Sequence, residues 1–190
     1  MQLFLSSIRI AAATMVICVA GYTAAVWAVA QVVTPDTANG SLITDRDGKV
    51  IGSRQVAQAF TQPGYFWPRP SAVDYDGAGA GGSNWSPTSA GVANRGKEMV
   101  ERYGATTRNP LPADLAAASG AGLDPHISEG GALYQIPRIA KVRGLELARL
   151  DELVRGAAFS PGGILTQDRI VNVLELNLAL DALQKARQGG

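Results

Sequence analysis

Hydrophobic and polar positions divide the chain at residue 33. From Ile10 to Val33 the sequence IAAATMVICVAGYTAAVWAVAQVV carries no charge over 24 residues. A bilayer core ~30 Å thick takes about 20 apolar residues in a helix rising ~1.5 Å each, so the run can span with some tilt. It contains no Pro, and Gly21 is tolerable in a membrane helix. Trp27 lies toward its outer end, where aromatic rings settle at headgroup level. The rival reading is a cleaved signal peptide, with Arg9 as the charged flank and Ala28-Val29-Ala30 as a small-x-small cleavage site. A signal h-region covers only about 7–15 residues, however, and here the apolar character continues through Val32 and Val33. A retained anchor is therefore expected.

Beyond residue 34 the pattern changes to short mixed elements. Leu42-Ile43-Thr44 and Val50-Ile51-Gly52 flank Asp45-Arg46-Asp47-Gly48-Lys49, and Asp-Gly between two apolar runs predicts a hairpin. Ser53 is placed to cap a short helix over Arg54–Phe60. Residues 61–91 are dense in Gly, Pro, Ser and aromatics, too long for an idle loop, and Tyr65, Phe66, Trp67, Tyr75 and Trp85 have apolar surface to bury. They read as an ordered surface or partner-facing segment. Helical spacing predicts Val92–Tyr103 with Gly104 as its stop, a turn opened by Pro112, and Glu129–Arg143 capped by Ser128 and kinked or broken at Pro137. Leu145–Arg155 reads as an amphipathic helix. In the last segment Leu174, Leu176, Leu178 and Leu180 alternate with polar or small residues as in a strand, but the richness of Ile164–Arg187 in Leu, Ala, Glu and Gln favours a helix capped by Thr166, with Asp168 in its first turn. The expected fold class is a single N-terminal transmembrane helix plus one α+β soluble domain. Its parts are a short cytoplasmic tail (residues 1–9), the span (10–33) and an extracytoplasmic domain (34–190).

Composition narrows the function classes. All but one of the 17 basic residues and all 16 acidic ones lie beyond the apolar run, the exception being Arg9. The domain is thus neutral and lacks a nucleic-acid footprint. Cys18, the one cysteine, lies inside the run, so disulfide and thiolate chemistry are absent from the domain. The Lys and Arg count flanking the run gives only a weak orientation bias, with Arg9 before it and Arg46 and Lys49 after it. The signal-like start favours export of the domain attached to it.

Candidate chemistry is sparse. His126 is the only histidine, and neither Asp124 nor Glu129 stands at a metal-ligand spacing from it. A hydrogen-bonding role in a turn is the expectation. Ser119, Asp124 and His126 supply the residue types of a triad without a nucleophile elbow. Two Gly-rich stretches, Gly77–Ser83 and Ser119–Gly122, could present backbone N–H groups to phosphate, but neither has the P-loop pattern. Tight turns explain them better. Arg69-Pro70 after Tyr65-Phe66-Trp67 suits packing or partner recognition.

Several motifs occur in order along nearly the whole chain: Asn39-Gly-Ser41, Gly52-Ser53, Pro63-Gly-Tyr65-Phe66 with Arg69-Pro70-Ser71-Ala72, and Gly81-Gly-Ser83-Asn84. Then come Pro112-Ala-Asp114-Leu115, Ala118-Ser-Gly-Ala-Gly122-Leu-Asp124-Pro125-His126-Ile127-Ser128, Gln135-Ile-Pro137-Arg138-Ile-Ala140 and Val171-Asn172-Val173-Leu174-Glu175-Leu176-Asn177-Leu178. With the N-terminal anchor, this series resembles the C subunit of the bacterial Kdp-type potassium-transporting ATPase. The resemblance implies a non-catalytic accessory subunit in the inner membrane, passing through it once. Its partners would be a potassium-channel-like subunit, a P-type ATPase subunit and a small single-helix subunit. ATP and K⁺ would be handled by the complex, with no cofactor bound directly. The family has also been regarded as a chaperone for ATP binding, through a Ser-Gly-x-Gly region that is Ser119, Gly120 and Gly122 here. Ala116, Ala117 and Ala121 depart from the family form and weaken that idea. Partner-interface candidates are Tyr65, Phe66, Arg69, Pro70, Ser83, Asn84, Asp124 and His126. The competing classes are a secreted enzyme behind a signal peptide and a lone anchored binding protein.

Overall fold

The computed structural model describes residues 1–45, 47–166 and 168–188. Arg46, which the sequence places in the hairpin turn and in the orientation count, lies outside the described residues, as does Gln167 of the expected C-terminal helix. The chain forms two compact units, Met1–Ile51 and Gly52–Gly190.

The first unit is dominated by one continuous helix, Gln2–Val33, of 32 residues. It consists of α1 (Gln2–Met15), a π-helical turn (Val16–Gly21) and α2 (Tyr22–Val33). The helix starts well before the apolar run, so Arg9 is itself helical. At ~1.5 Å per residue it measures about 48 Å, more than a hydrocarbon core requires. None of its side chains is buried within the chain, as expected of a helix whose apolar surface faces lipid or another subunit. A short turn, α3 (Pro35–Ala38), comes next. Strands β1 (Leu42–Thr44) and β2 (Val50–Ser53) pair as the Asp47-Gly48 signal predicts, with Gly48 at φ +77°.

The second unit holds the core. Its regular elements are α4 (Ala90–Tyr103), α5 (Ala113–Ala116), β3 (His126–Ser128), α6 (Glu129–Arg143), α7 (Leu147–Ala157), β4 (Ile170–Asn172) and α8 (Val173–Gln188). Strands β3 and β4 pair antiparallel, with Ile127 opposite Val171. Both are essentially inaccessible to solvent, and Ile139, Leu150, Val154, Leu176 and Leu180 from α6, α7 and α8 close over them. Complete burial of one such side chain is worth roughly 1.5–3 kcal/mol, so this cluster organises the domain.

Four expectations are corrected. Ser53 caps no helix: its Oγ accepts from Gln55 N–H at 3.1 Å and Ser53 bridges to Val56, making a tight turn. Pro137 does not break α6, which runs unbroken from the Ser128 cap to Gly144 at φ +64°. Pro137 is exposed, so the hydrogen bond it deletes falls on the outer face, away from buried Gln135, Ile136 and Ile139. The C-terminal helix begins at Val173 rather than near Thr166, and Asp168 lies outside it. Its cap is Asn172, whose Oδ1 accepts from Glu175 N–H at 3.1 Å; Thr166 instead accepts from Gly162 N–H. Lastly, no helix or strand occurs between Ala57 and Ser89, yet this segment buries Phe66 and Trp67 instead of presenting them outward.

Candidate partner interface and the loops behind it

The Pro63–Trp67 segment is held by amide and guanidinium groups of two helices. Asn177 of α8 accepts from Phe66 N–H at 2.8 Å and donates to Phe66 C=O at 3.0 Å. Gln135 of α6 does the same for Trp67, at 2.8 and 3.1 Å. Consecutive residues of an extended chain point their backbone groups to opposite sides, which is why one clamp comes from each helix. Both amides are buried, and so are the backbone groups they satisfy.

Arginines complete the seat. Arg138 donates to the carbonyls of Pro63 and Tyr65 and to Gln135 Oε1, and its guanidinium carbon lies 3.7 Å from the Trp67 ring centroid. Burial pulls the Arg138 pKa down to about 10. Arg102 of α4 also lies over Trp67, at 4.2 Å. Arg143 donates to Gly64 C=O at 2.6 Å, pairs with Asp181 at 2.6 Å and stacks on Tyr65. The Tyr65 hydroxyl donates to Asp181 Oδ2 at 3.0 Å. Phe66 is therefore a core residue, fully buried, and Tyr65 is half-buried in a polar network.

Arg69 fastens a second loop. It donates to the carbonyls of Ala117 and Ala118 and to Asp124 Oδ2. Asp124 also accepts from the His126 backbone at 3.0 Å, with His126 Nδ1 at 3.1 Å from its Oδ1. The hydrogen bond from His126 lowers the Asp124 pKa most; burial opposes it, and the Arg69 charge adds a smaller lowering. These groups border a cleft of about 570 Å³ that also contains Asp114, Ser128 and Arg169. His126 thus belongs to a hydrogen-bonded strand start. Among the described residues no group of three or more His, Cys, Asp or Glu is placed to hold a metal.

The two Gly-rich stretches pack on each other. Gly81 N–H donates to Ala121 C=O, Ser119 N–H to Pro70 C=O, and Ser71 Oγ donates to Gly122 C=O at 2.7 Å. Gly122 has φ +69°, and a Cβ there would stand 2.5 Å from Val73 and 2.9 Å from the Gly81 carbonyl. A Cβ at Gly82 would stand 2.7 Å from the Gly120 carbonyl. The glycines are thus used for close backbone approach, and Ser119 is itself buried. Ser83 is half-buried beside this contact, whereas Asn84 is exposed at φ +50°. Trp85, half-exposed, lies against Gly91 with Arg95 at 4.4 Å from its ring. With Pro70, Tyr75, Glu98 and Tyr103 they line a cleft of about 500 Å³.

Asn177, Gln135, Arg138 and Arg143 are not among the residues for which the sequence predicts a role. The available signal was a polar residue on a face otherwise apolar, as Asn177 is among Leu174, Leu176 and Leu180.

A helix long and apolar enough to cross a membrane, followed by a small domain whose polar side chains secure its own loops, is the architecture of a membrane-anchored protein. The chain belongs to the KdpC family, described as the c chain of the K⁺-transporting ATPase, which matches residues 4–182. It is 68% identical to the potassium-transporting ATPase KdpC subunit of Parvibaculum lavamentivorans over 98% of this chain and 100% of that one. The KdpC subunits of Geobacter metallireducens (47%; 88% of this chain, 91% of that one) and Myxococcus xanthus (43%; 94% and 87%) are also similar. Members of this family are non-catalytic accessory subunits of a multi-subunit, membrane-bound potassium-transporting ATPase.

Proposed function

We propose that Gln2–Val33 crosses the inner membrane once and holds the domain on the extracytoplasmic side. There it packs on the channel-like subunit and supports assembly with the P-type ATPase subunit and a small single-helix subunit. In this reading ATP and K⁺ are handled by those subunits and neither is a direct ligand of this chain. Its contacts come from the rim of the ordered loops, exposed Asn84 and Trp85 with half-buried Pro70 and Ser83, and from Asp124 and His126 at the neighbouring cleft. Tyr65, Phe66 and Arg69 act from behind by fixing those loops.

The observation that carries the reading is how the Ser119–Gly122 loop is used. Its glycines and carbonyls meet Ser71, Val73 and Gly81–Gly82 of the same domain, which supports a loop built for internal packing over a nucleotide cradle. The long apolar helix supports a span, and a hydrocarbon core ~30 Å thick would separate an outer domain from cytoplasmic nucleotide.

Topology tests it. In a Cys18→Ser background, Lys185→Cys supplies one exposed thiol on α8. A membrane-impermeant maleimide should label it in intact spheroplasts. Labelling only after the membrane is opened would place the domain in the cytoplasm and favour the ATP-chaperone reading instead.

A further inference from the structure

The 32-residue helix Gln2–Val33 carries one charge, Arg9. Near its other end Gln31 exchanges two side-chain hydrogen bonds with Asn39 of the following turn, each 3.3 Å, and Asn39 also donates to Pro35 C=O at 2.7 Å. Gln31 is thus tied to polar chain beyond the helix, which sets it at a membrane surface. Arg9 stands about 33 Å from it along the helix axis, at ~1.5 Å per residue. A hydrocarbon core is ~30 Å thick, so with Gln31 at one surface Arg9 is at the other. Placing the outer boundary at Val33 instead leaves Arg9 about 6 Å beyond the core, inside a headgroup layer ~5–8 Å deep. Both limits put the guanidinium at the level of the lipid phosphates.

The helix begins at Gln2, before the apolar run, and this gathers polar side chains around Arg9. Gln2, Ser6 and Arg9 follow at i, i+4 and i+7, on one face. Phe4, Ile8 and Ala11 repeat that spacing on the opposite face and prolong the apolar surface of the span. Other hydroxyls of the helix are satisfied within it: Ser7 donates to Leu3 C=O at 3.0 Å and Thr14 to Ile10 C=O at 2.8 Å. The side chains of Gln2, Ser6 and Arg9 are exposed and have no hydrogen-bond or ion-pair partner among the described residues.

We propose that Gln2, Ser6 and Arg9 form a seat for the phosphate of an anionic phospholipid in the leaflet on the N-terminal side. The guanidinium fork grips two phosphate oxygens, while the Ser6 hydroxyl and Gln2 amide donate to the same headgroup. A small tilt turns Phe4 and Ile8 toward the acyl chains and the polar face toward the headgroups. A lipid of net negative charge is favoured, because in a zwitterionic one the ammonium beside the phosphate repels Arg9. The inference rests on the reading of Gln2–Val33 as a span and names a ligand for its N-terminal end.

The purified full chain in mild detergent is mixed with synthetic phosphatidylglycerol or phosphatidylcholine, with and without excess inorganic phosphate, and bound lipid is counted by native mass spectrometry. The wild type should retain phosphatidylglycerol several-fold better than phosphatidylcholine. Arg9→Gln should lower that retention about fivefold, with Arg9→Lys between the two. Should Arg9→Gln insert the wrong way round, Gln2→Ala with Ser6→Ala keeps the charge and should still lower retention about twofold. Inorganic phosphate should leave the lipid bound; its displacing the lipid would assign the seat to a soluble anion. Equal retention by wild type and Arg9→Gln, or of the two lipids, would also overturn the proposal. So would Arg9→Gln releasing the chain from the purified pump with lipid retention unchanged, which assigns Arg9 to a carboxylate of another subunit. Release of the wild-type chain from membranes by alkaline carbonate would instead overturn the span beneath it.

Discussion

Asn177 and Phe66 exchange two hydrogen bonds across 111 positions of sequence, one in each direction between the side-chain amide and the Phe66 backbone. The amide supplies what a neighbouring strand would otherwise supply, so a segment with no strand partner crosses the core with its backbone satisfied. Asn177→Ala removes both partners at once and leaves a buried N–H and a buried C=O unpaired. At roughly 1–3 kcal/mol for each stranded group, a loss of about 2–4 kcal/mol is expected. For a chain of this size that lowers Tm by roughly 5–15 °C. Asn177→Asp should be at least as damaging, because it keeps an acceptor, deletes the donor and puts a charge in the core. Thermal unfolding of the full chain in detergent, monitored by near-UV circular dichroism, measures both. A melting point unchanged by Asn177→Ala would mean that the clamp is not formed.

Phe66 and its neighbour Tyr65 should separate when replaced. Phe66 is fully enclosed by the core cluster, and Phe66→Ala should cost about 3–5 kcal/mol, as other large-to-small core changes do. Its effect on recovery of the pump should therefore track the loss of folded protein. Tyr65→Phe leaves the ring between Phe60 and Arg143 and removes only the bond to Asp181, worth about 0.5–1.5 kcal/mol. Urea titration of both variants beside the wild type orders them. Equal, small losses would return Phe66 to the surface.

The contrast shows which parts of the structure were legible. The anchor, the Asp47-Gly48 hairpin, the Ser128 and Gly104 punctuation and the amphipathic helix around Leu150 and Val154 each rest on a local rule, and each occurs within two residues or so of its expected place, except that the anchor helix begins at Gln2, eight residues before the apolar run. The helix that starts at Val173 was misplaced because its cap, Asn172, is also the last residue of a strand pairing with His126. That pairing spans 46 positions and leaves no local mark. The composition of the aromatic stretch, dense in Gly, Pro and Ser, is that of an exposed loop. What turns Phe66 and Trp67 inward is a pair of amides 68 and 111 residues away, and nothing in the loop itself announces them.

Within Ser119-Gly120-Ala121-Gly122 the two glycines should behave oppositely. A Cβ at Gly120 meets nothing within 4 Å, so Gly120→Ala should leave stability within about 0.5 kcal/mol of wild type. At Gly122 the backbone has φ +69° and the new carbon would collide with Val73 and the Gly81 carbonyl. Strain and clash together should cost roughly 2 kcal/mol or more. Recovery with the pump should fall with Gly122→Ala alone. A phosphate cradle predicts something else, since there both backbone N–H groups would face a ligand and both substitutions would weaken nucleotide binding without touching stability. Measuring Tm and pump recovery for the two single variants decides between these uses of the loop.

Asp124 makes stability depend on acid. Its carboxylate accepts from His126 and Arg69, and the hydrogen bond from His126 does most to hold its pKa below the ordinary 3.8. A carboxyl group depressed in the folded state binds its proton more readily in the unfolded chain. Its stabilising contribution is therefore complete above about pH 4, where the carboxyl is ionised in both states, and disappears as pH falls through the lower, folded-state value. The group is over a third exposed, so the effect is modest and salt-sensitive. Asp124→Asn should lower Tm at pH 7, and its curve should converge with the wild type below about pH 4. His126→Gln removes the largest cause of the shift and should flatten the acid limb while Arg69 and Asp124 remain in place. Melting curves of the three proteins between about pH 2.5 and pH 7, at low and high salt, test this; wild-type and Asp124→Asn curves that stay parallel down to the lowest pH would show that the Arg69–Asp124–His126 contact does not hold the 117–124 loop.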